Sequence, residues 1–325
     1  MNSSTEQIEA VSTPAVRDFA RPRSVTVTIV GGSVDVIAAP LTEDARLEVP
    51  ELSGPPLTVT WTDGALKIEQ VRGSDGQLWS GLKAMLSGLG SGSGTARARL
   101  TLTVPDEAAV SVRTVGADVL VGGTQSATVY TATGSVALDR PTGCADVTTA
   151  SGSVDAASPS GELRVKTVSG DITVQDAVLR STRLNTVSGR ALLDLRHGPS
   201  LVTANSVSGE VCVRLPAGSG YDATVASSTG HVVVAGEPLV EDGNRGGHRY
   251  GGDRSVVIKA RTMTGDLLVL HRDARLGTTP GPGGPVIGDP TPGTSGIQDD
   301  VRPGGSTWPR DPGDDAGTNG PGSTR

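Results

Sequence analysis

Four charged or titratable residues, Asp171, Arg190, Glu210 and His231, each stand one position after a glycine, so regular strands would line them up as one outward column. With stacked strands about 4.8 Å apart, Asp171 and Glu210 would be separated by about 9 to 10 Å, at the edge of the roughly 6.5 to 9.5 Å range of inverting glycoside hydrolysis. Arg190 would fall between them. A guanidinium paired with both carboxylates keeps both ionised, which leaves no proton donor for such a reaction. The column therefore reads first as a surface charge ladder worth about 0.2 to 1 kcal/mol per pair, with carbohydrate cleavage as the alternative.

Other reactive types do not converge. His197, His231, His248 and His271 are far apart and match no metal-ligand spacing, and neither Cys144 nor Cys212 has a histidine beside it in the pattern. The cysteines fall several repeats apart, too far for a disulfide, and two free thiols suit a reducing compartment. Gly90 to Gly94 reads G-S-G-S-G but lacks the strand before it and the helix after it that a dinucleotide loop needs. Arg164, Lys166, Arg180 and Arg183 form a small basic patch without interleaved aromatics, which reads as solvated surface. The expectation is no enzyme, no metal, no cofactor and no nucleic acid.

The elements that must position these residues are repeats. T-A-T-G-S-V, T-A-S-G-S-V, T-V-S-G-D-I, T-V-S-G-R-A, S-V-S-G-E-V and S-S-T-G-H-V place Gly134, Gly152, Gly170, Gly189, Gly209 and Gly230 at a nearly constant interval. A seventh phrase, T-M-T-G-D-L, carries Gly265, and Ala117 stands where an earlier glycine is expected. Such a period signals a solenoid of stacked two-strand rungs. Aromatic residues make up 2 % of the chain, so Val, Thr, Ala and Gly must fill a narrow interior.

Aligned on the glycines, the positions two after (Val136, Val154, Ile172, Ala191, Val211, Val232), four after (Leu138 to Val234) and five before (Val129 to Val225) are all apolar and form the core. Each glycine marks a corner that needs either positive φ or a close backbone approach. By the same alternation the hydroxyls one and three positions before the glycine, such as Ser169 and Thr167, point inward and bond corner backbone.

The chain divides into a mobile polar arm (1–20), an N-terminal β module (21–71) containing a degenerate repeat at Gly31-Gly32, a linker with a short amphipathic helix (72–96), the solenoid (97–272, with an irregular loop at 236–255) and a disordered Gly/Pro-rich tail (273–325). In the linker Leu78, Trp79, Leu82, Met85, Leu86 and Leu89 fall at helical spacing, which suits a helix covering an open sheet edge, or one docking a partner or a membrane surface through Trp79, Leu82 and Leu86, the membrane version being the weaker with one lysine on the segment. No signal peptide or membrane-span pattern is visible, and the expected location is the cytoplasm. Twenty-eight basic and 35 acidic residues, mixed along the sequence, give a net charge of −7, which disfavours nonspecific nucleic-acid or anionic-membrane binding as the main activity.

The T-V-S-G-[DRE]-[IAV] phrases, the strand-rich start and the W-S-G-L-K-A-M-L insertion resemble a bacterial β-strand-repeat family of domains of unknown function, DUF4097, which also carries an adhesin label and is related to the toast-rack group. The resemblance spans roughly residues 24 to 272 and implies a β-solenoid with no catalytic residues to carry over. The expected role is a structural or protein-interaction scaffold with an unknown protein partner. The alternatives are the carbohydrate-active enzyme and an envelope adhesin exported by another route. Self-association through an open strand edge is also expected to be available.

Overall fold

The computed structural model describes residues 7–12, 15–40, 42–70, 96–241 and 244–272. These residues form strands and turns with no helix. The Trp79, Leu82 and Leu86 helix and the disordered tail both lie outside the described residues.

Strands β1 (Gln7–Val11) and β2 (Ala15–Phe19) precede the long β3 (Ser24–Ala39). Then come β4 (Ala45–Ser53), β5 (Leu57–Thr62), β6 (Ala65–Glu69), β7 (Arg97–Pro105) and a second long strand, β8 (Ala109–Gly122). Each following rung has a leading strand before its corner and a trailing strand after it. These are β9 (Ser126–Thr131) with β10 (Val136–Asp139), then β11 (Cys144–Thr149) with β12 (Val154–Ala157), then β13 (Ser160–Lys166) with the first part of β14 (Ile172–Asn185). The second part of β14 leads to β15 (Ala191–Leu195), and β16 (Ser200–Asn205) leads to β17 (Val211–Leu215). The chain ends with β18 (Tyr221–Ser227), β19 (Val232–Val234), β20 (Glu237–Pro238), β21 (Val240–Glu241), β22 (Asn244–Gly251), β23 (Val256–Thr262) and β24 (Leu267–His271).

Leading strands of the rungs pair in parallel with leading strands, and trailing with trailing, with register shifts at Gly161/Glu162 and at Val174/Ala177; Val129 opposes Val147, which opposes Val165, which opposes Leu184. The two ladders face each other across a narrow core, and every residue of the three apolar columns is buried. Interior positions never carry more than one side chain per strand pleat, which is why Val, Leu and Ala suffice.

Three expectations are corrected. Residues 1–20 are not simply an arm: β1 pairs antiparallel with β5 and β2 antiparallel with β4, and Phe19 packs against Trp61 with ring centroids 6.1 Å apart. Backbone pairing holds both cap strands in place, and Arg17 of β2 is paired with Glu9 of β1. Residues 236–255 are likewise not irregular, because β22 runs antiparallel along β18 and β20 along β19. Glycine there serves close approach: a Cβ on Gly246 would lie 2.3 Å from the Val225 carbonyl oxygen, at a φ of +132°. The β module and the solenoid are also one stack. β3 lies between the rung formed by β6 and β7 on one side and β8 on the other, pairing with all three in parallel.

The rung order in space departs from the order in sequence at both ends. β16 pairs with β23, and β23 with β18; β17 pairs with β24, and β24 with β19. The last-written rung is therefore inserted beneath the one before it. Antiparallel strands cover the terminal parallel edges, as solenoid ends require.

Candidate interaction surface

Each corner is built from the same few bonds. The hydroxyl three positions before the glycine is buried and accepts the glycine N–H, at 2.9 Å for Thr167 and Gly170, 3.0 Å for Thr186 and Gly189, and 2.8 Å for Ser206 and Gly209. The hydroxyl one position before the glycine is exposed instead of inward. It donates to a carbonyl of the neighbouring rung, Ser188 to Val168 at 3.3 Å and Ser208 to Val187 at 3.1 Å. Strand alternation fails because the chain bends at these two positions, so both side chains before the glycine turn outward.

The corner glycines Gly134, Gly152, Gly170, Gly189, Gly209, Gly265 and Gly230 stack in that spatial order. None has positive φ, and close approach alone demands glycine: a Cβ on any of them would lie 1.8 to 2.0 Å from the carbonyl oxygen below. Ala117 escapes this rule above Gly32, whose φ is +111° and whose peptide is turned differently from those of the other corners.

A second outward column, which alternation itself places on the surface, stands beside the corner hydroxyls. Two positions before the glycine stand Val168, Val187, Val207 and Met263, on four consecutive rungs in space. They are 52, 43, 41 and 57 % exposed, so four large apolar side chains form a ridge along one convex edge. The repeated phrases T-V-S-G and T-M-T-G contain this signal, and parity fails only at the hydroxyl one position before the glycine.

The column one position after the glycine is also real but differently ordered. Arg190 pairs with Glu210 at 3.6 Å and with no other carboxylate, while Asp171 Oδ1 accepts the Arg190 peptide N–H at 2.8 Å. Between Glu210 and His231 the inserted rung places Asp266, which accepts the His231 peptide N–H at 2.7 Å and approaches its Nδ1 at 3.4 Å. Asp118 does the same for Ser135 at 2.9 Å. These aspartates bind the next rung's backbone, a structural duty, and Asp171 and Glu210 are separated by the intervening Arg190 rung.

Folding sorts charges that are mixed along the sequence. On the outer face of the leading ladder, register aligns Arg164, Arg183, Thr203 and Lys259 in one column and Lys166, Asn185, Asn205 and Arg261 in the next. Arg164 pairs with Glu162 at 3.3 Å, and Asn205 donates to Asn185 at 3.0 Å. Lys166, Arg183, Lys259 and Arg261 are exposed and make no ion pair among the described residues. Arg180 lies on the same strand as Arg183, beyond the two columns. The outer face of the trailing ladder is mixed in sign, carrying Arg190 and Arg214 as well as an acidic patch of Asp35, Asp118 and Asp155 around a shallow hollow of about 280 Å³ over Leu120 and Ala137.

The histidines stay apart. His248 meets Asp222 at 2.7 Å and His271 meets the Ser219 carbonyl at 3.2 Å. No cluster of three or more His, Cys, Asp or Glu side chains suited to a metal is present among the described residues. Cys144 is exposed on the leading ladder and Cys212 buried on the trailing one. No helix among the described residues is long and apolar enough to cross a membrane.

The model of the Toastrack DUF4097 family matches residues 24–270, from the start of β3 to the last strand. The chain belongs to that family. In this Toastrack DUF4097 chain the match covers the full rung stack and leaves out β1 and β2. The family is one of unknown function, with no catalytic role attached. No curated protein matches the chain. Two solved structures are similar at low identity. One, named a "putative cell adhesion protein" from Clostridium sporogenes, is 12 % identical over 83 % of this chain and 100 % of its own, with a TM-score of 0.22. The other, named a "putative lipid binding protein" from Parabacteroides distasonis, is 11 % identical over 81 % of this chain and 98 % of its own, with a TM-score of 0.40.

Proposed function

We propose that this Toastrack chain is a non-enzymatic interaction scaffold that meets its partner along the corner ridge of Val168, Val187, Val207 and Met263. The observation that carries this reading is the exposure of four large apolar side chains in line on a rigid edge, since contiguous exposed apolar surface marks interaction sites. The stack fixes their spacing through buried hydroxyl-to-glycine bonds at each corner, so the ridge is preorganised and binding costs little ordering entropy. The ladder of Asp171, Arg190, Glu210 and His231 has a backbone-bonding role that accounts for its aspartate and leaves the ridge as the better candidate.

A photo-crosslinking residue placed at Val187, and separately at Ala137 on the opposite face, tests this in the native host. Adducts to any partner, protein or lipid, are expected at Val187 and not at Ala137. Equal crosslinking at both positions, or none at Val187, would overturn the reading.

A further inference from the structure

The ridge is continuous with the basic face. Lys166 and Val168 are outward residues on either side of buried Thr167, and Arg261 and Met263 flank buried Thr262 in the same way. Cations stand on the Val168, Val187 and Met263 rungs, and the rung between Val187 and Met263 contributes neutral Thr203, Asn205 and Val207. We propose that this edge docks on an anionic lipid surface, with the ridge entering the headgroup region and Lys166, Arg183, Lys259 and Arg261 lying against the lipid phosphates; this rests on the ridge being the binding surface.

Three features favour lipid over other polyanions or a second copy. The face has no aromatic side chain between Lys166 and Arg261 on which a nucleobase would stack. Four half-exposed apolar side chains are of no use to an acidic polysaccharide, whereas apolar residues beside a cationic face are the pattern of interfacial membrane binding. The ridge is convex, and a fluid surface accommodates it without a matching groove. The acids nearby are accounted for. Glu162 is paired with Arg164 and Asp222 with His248, Asp146 lies one strand further out, and Asp171, Glu210 and Asp266 lie past the corner on the side that would face water. The cations of the leading ladder, unpaired among the described residues, thus set the orientation, leading ladder toward the membrane.

The test is co-sedimentation of the full chain with vesicles of phosphatidylcholine alone and of equal parts phosphatidylcholine and phosphatidylglycerol. Binding is expected only to the anionic vesicles and is expected to fall steeply with salt as the Debye length contracts. Replacing Lys166, Arg183, Lys259 or Arg261 by Gln should each lower partitioning about fivefold, following about 1 kcal/mol per cation at an anionic surface. Val187→Ser with Val207→Ser should lower it about tenfold, and Asp155→Asn on the opposite face should leave it unchanged. Circular dichroism checks that these surface variants fold. Equal binding to neutral vesicles, no binding at low ionic strength, or indifference to the four Gln variants would each overturn the proposal. So would cation-dependent binding to single-stranded DNA or heparin, or cation-dependent self-association by ultracentrifugation, in the absence of vesicle binding. Crosslinks at Val187 to a protein, with no vesicle binding, would overturn the lipid assignment and leave the scaffold standing.

Discussion

Gly265 packs directly on Gly209: a Cβ built on Gly265 would lie 1.9 Å from the Gly209 carbonyl oxygen, and Gly230 rests in turn on Gly265 at 2.0 Å. The seventh corner in the sequence is thus the second-last in space. The stack closes by insertion, and the cost of a wrong residue at any corner is set by backbone atoms that cannot yield.

Gly189→Ala is expected to destabilise the protein by about 3 kcal/mol or more, because its Cβ would lie 1.9 Å from the Gly170 carbonyl oxygen and two rungs must separate to admit it. Gly116→Ala is the matched control. Its Cβ would meet only the Thr133 hydroxyl at 3.3 Å, at ordinary φ, and a loss within about 1 kcal/mol is expected. Urea unfolding of the two variants decides this; equal losses would show that rung spacing is softer than argued.

Arg272, just after the last strand, reaches back from the inserted rung past β17 to Asp176 at 2.6 Å and Asp194 at 2.5 Å. The Asp194 side chain is 12 % exposed, so Arg272→Ala strands a nearly buried carboxylate. With Arg272 itself one-third exposed and partly screened, a loss of about 2 to 3 kcal/mol is expected. Adding Asp194→Leu should recover part of it. A double variant no more stable than Arg272→Ala would argue that the clasp matters through Asp176 instead.

Acid should loosen the C-terminal cap. Asp253 has its carboxyl pKa held below the ordinary value, chiefly by the Ser255 N–H, then by the Ser255 hydroxyl and the Gly220 N–H, and the Arg272 hydrogen bond lowers that of Asp176. Groups depressed in the folded state stabilise it above their unfolded pKa, and that contribution disappears as pH falls from about 4 through the folded values. Melting temperatures across this window should therefore drop with falling pH, and Asp253→Asn should flatten the decline. A variant that keeps the full wild-type slope would place the acid sensitivity elsewhere.

Thiol labelling should separate the two cysteines. Cys144 is exposed, whereas burial pushes the Cys212 thiol above its ordinary pKa, with Arg214 opposing and Glu210 and Asp194 reinforcing the rise. At neutral pH a maleimide should modify Cys144 first and Cys212 slowly, at a rate that keeps climbing above pH 9. Comparable rates at pH 7, read by mass spectrometry of the native protein, would contradict the burial of Cys212.

The core was legible because the repeat exposes its own periodicity: Val129, Val136 and Leu138 and their counterparts are buried as alternation requires. The resemblance and the solenoid stand with it. Ser169 and Ser188 were misplaced because alternation assumes a straight strand, and the two residues before each glycine sit in a bend. Val168, Val187, Val207 and Met263 lie outward as alternation requires, so the ridge was legible in the phrases and was passed over for the hydroxyls beside it. Rung order was illegible for a different reason: nothing in T-M-T-G-D-L distinguishes a rung added at the end from one inserted, and the pairing of β23 with both β16 and β18 is a nonlocal choice. Lys259 and Arg261 were likewise invisible as neighbours of Arg183 until that order was known. β1 and β2 are short and lack clean alternation of apolar and polar residues, with Ile8 and Val16 exposed, so little in their sequence signals a strand.

A chain built from its N-terminus makes β18 and β19 before β23 and β24, yet in the finished stack β16 and β17 pair with the later two. Until residue 271 has been synthesised, the growing stack ends in a bare parallel edge with its eventual neighbour absent. The order of assembly cannot follow the order of translation here, so completion of the solenoid is an event that waits for its last strand.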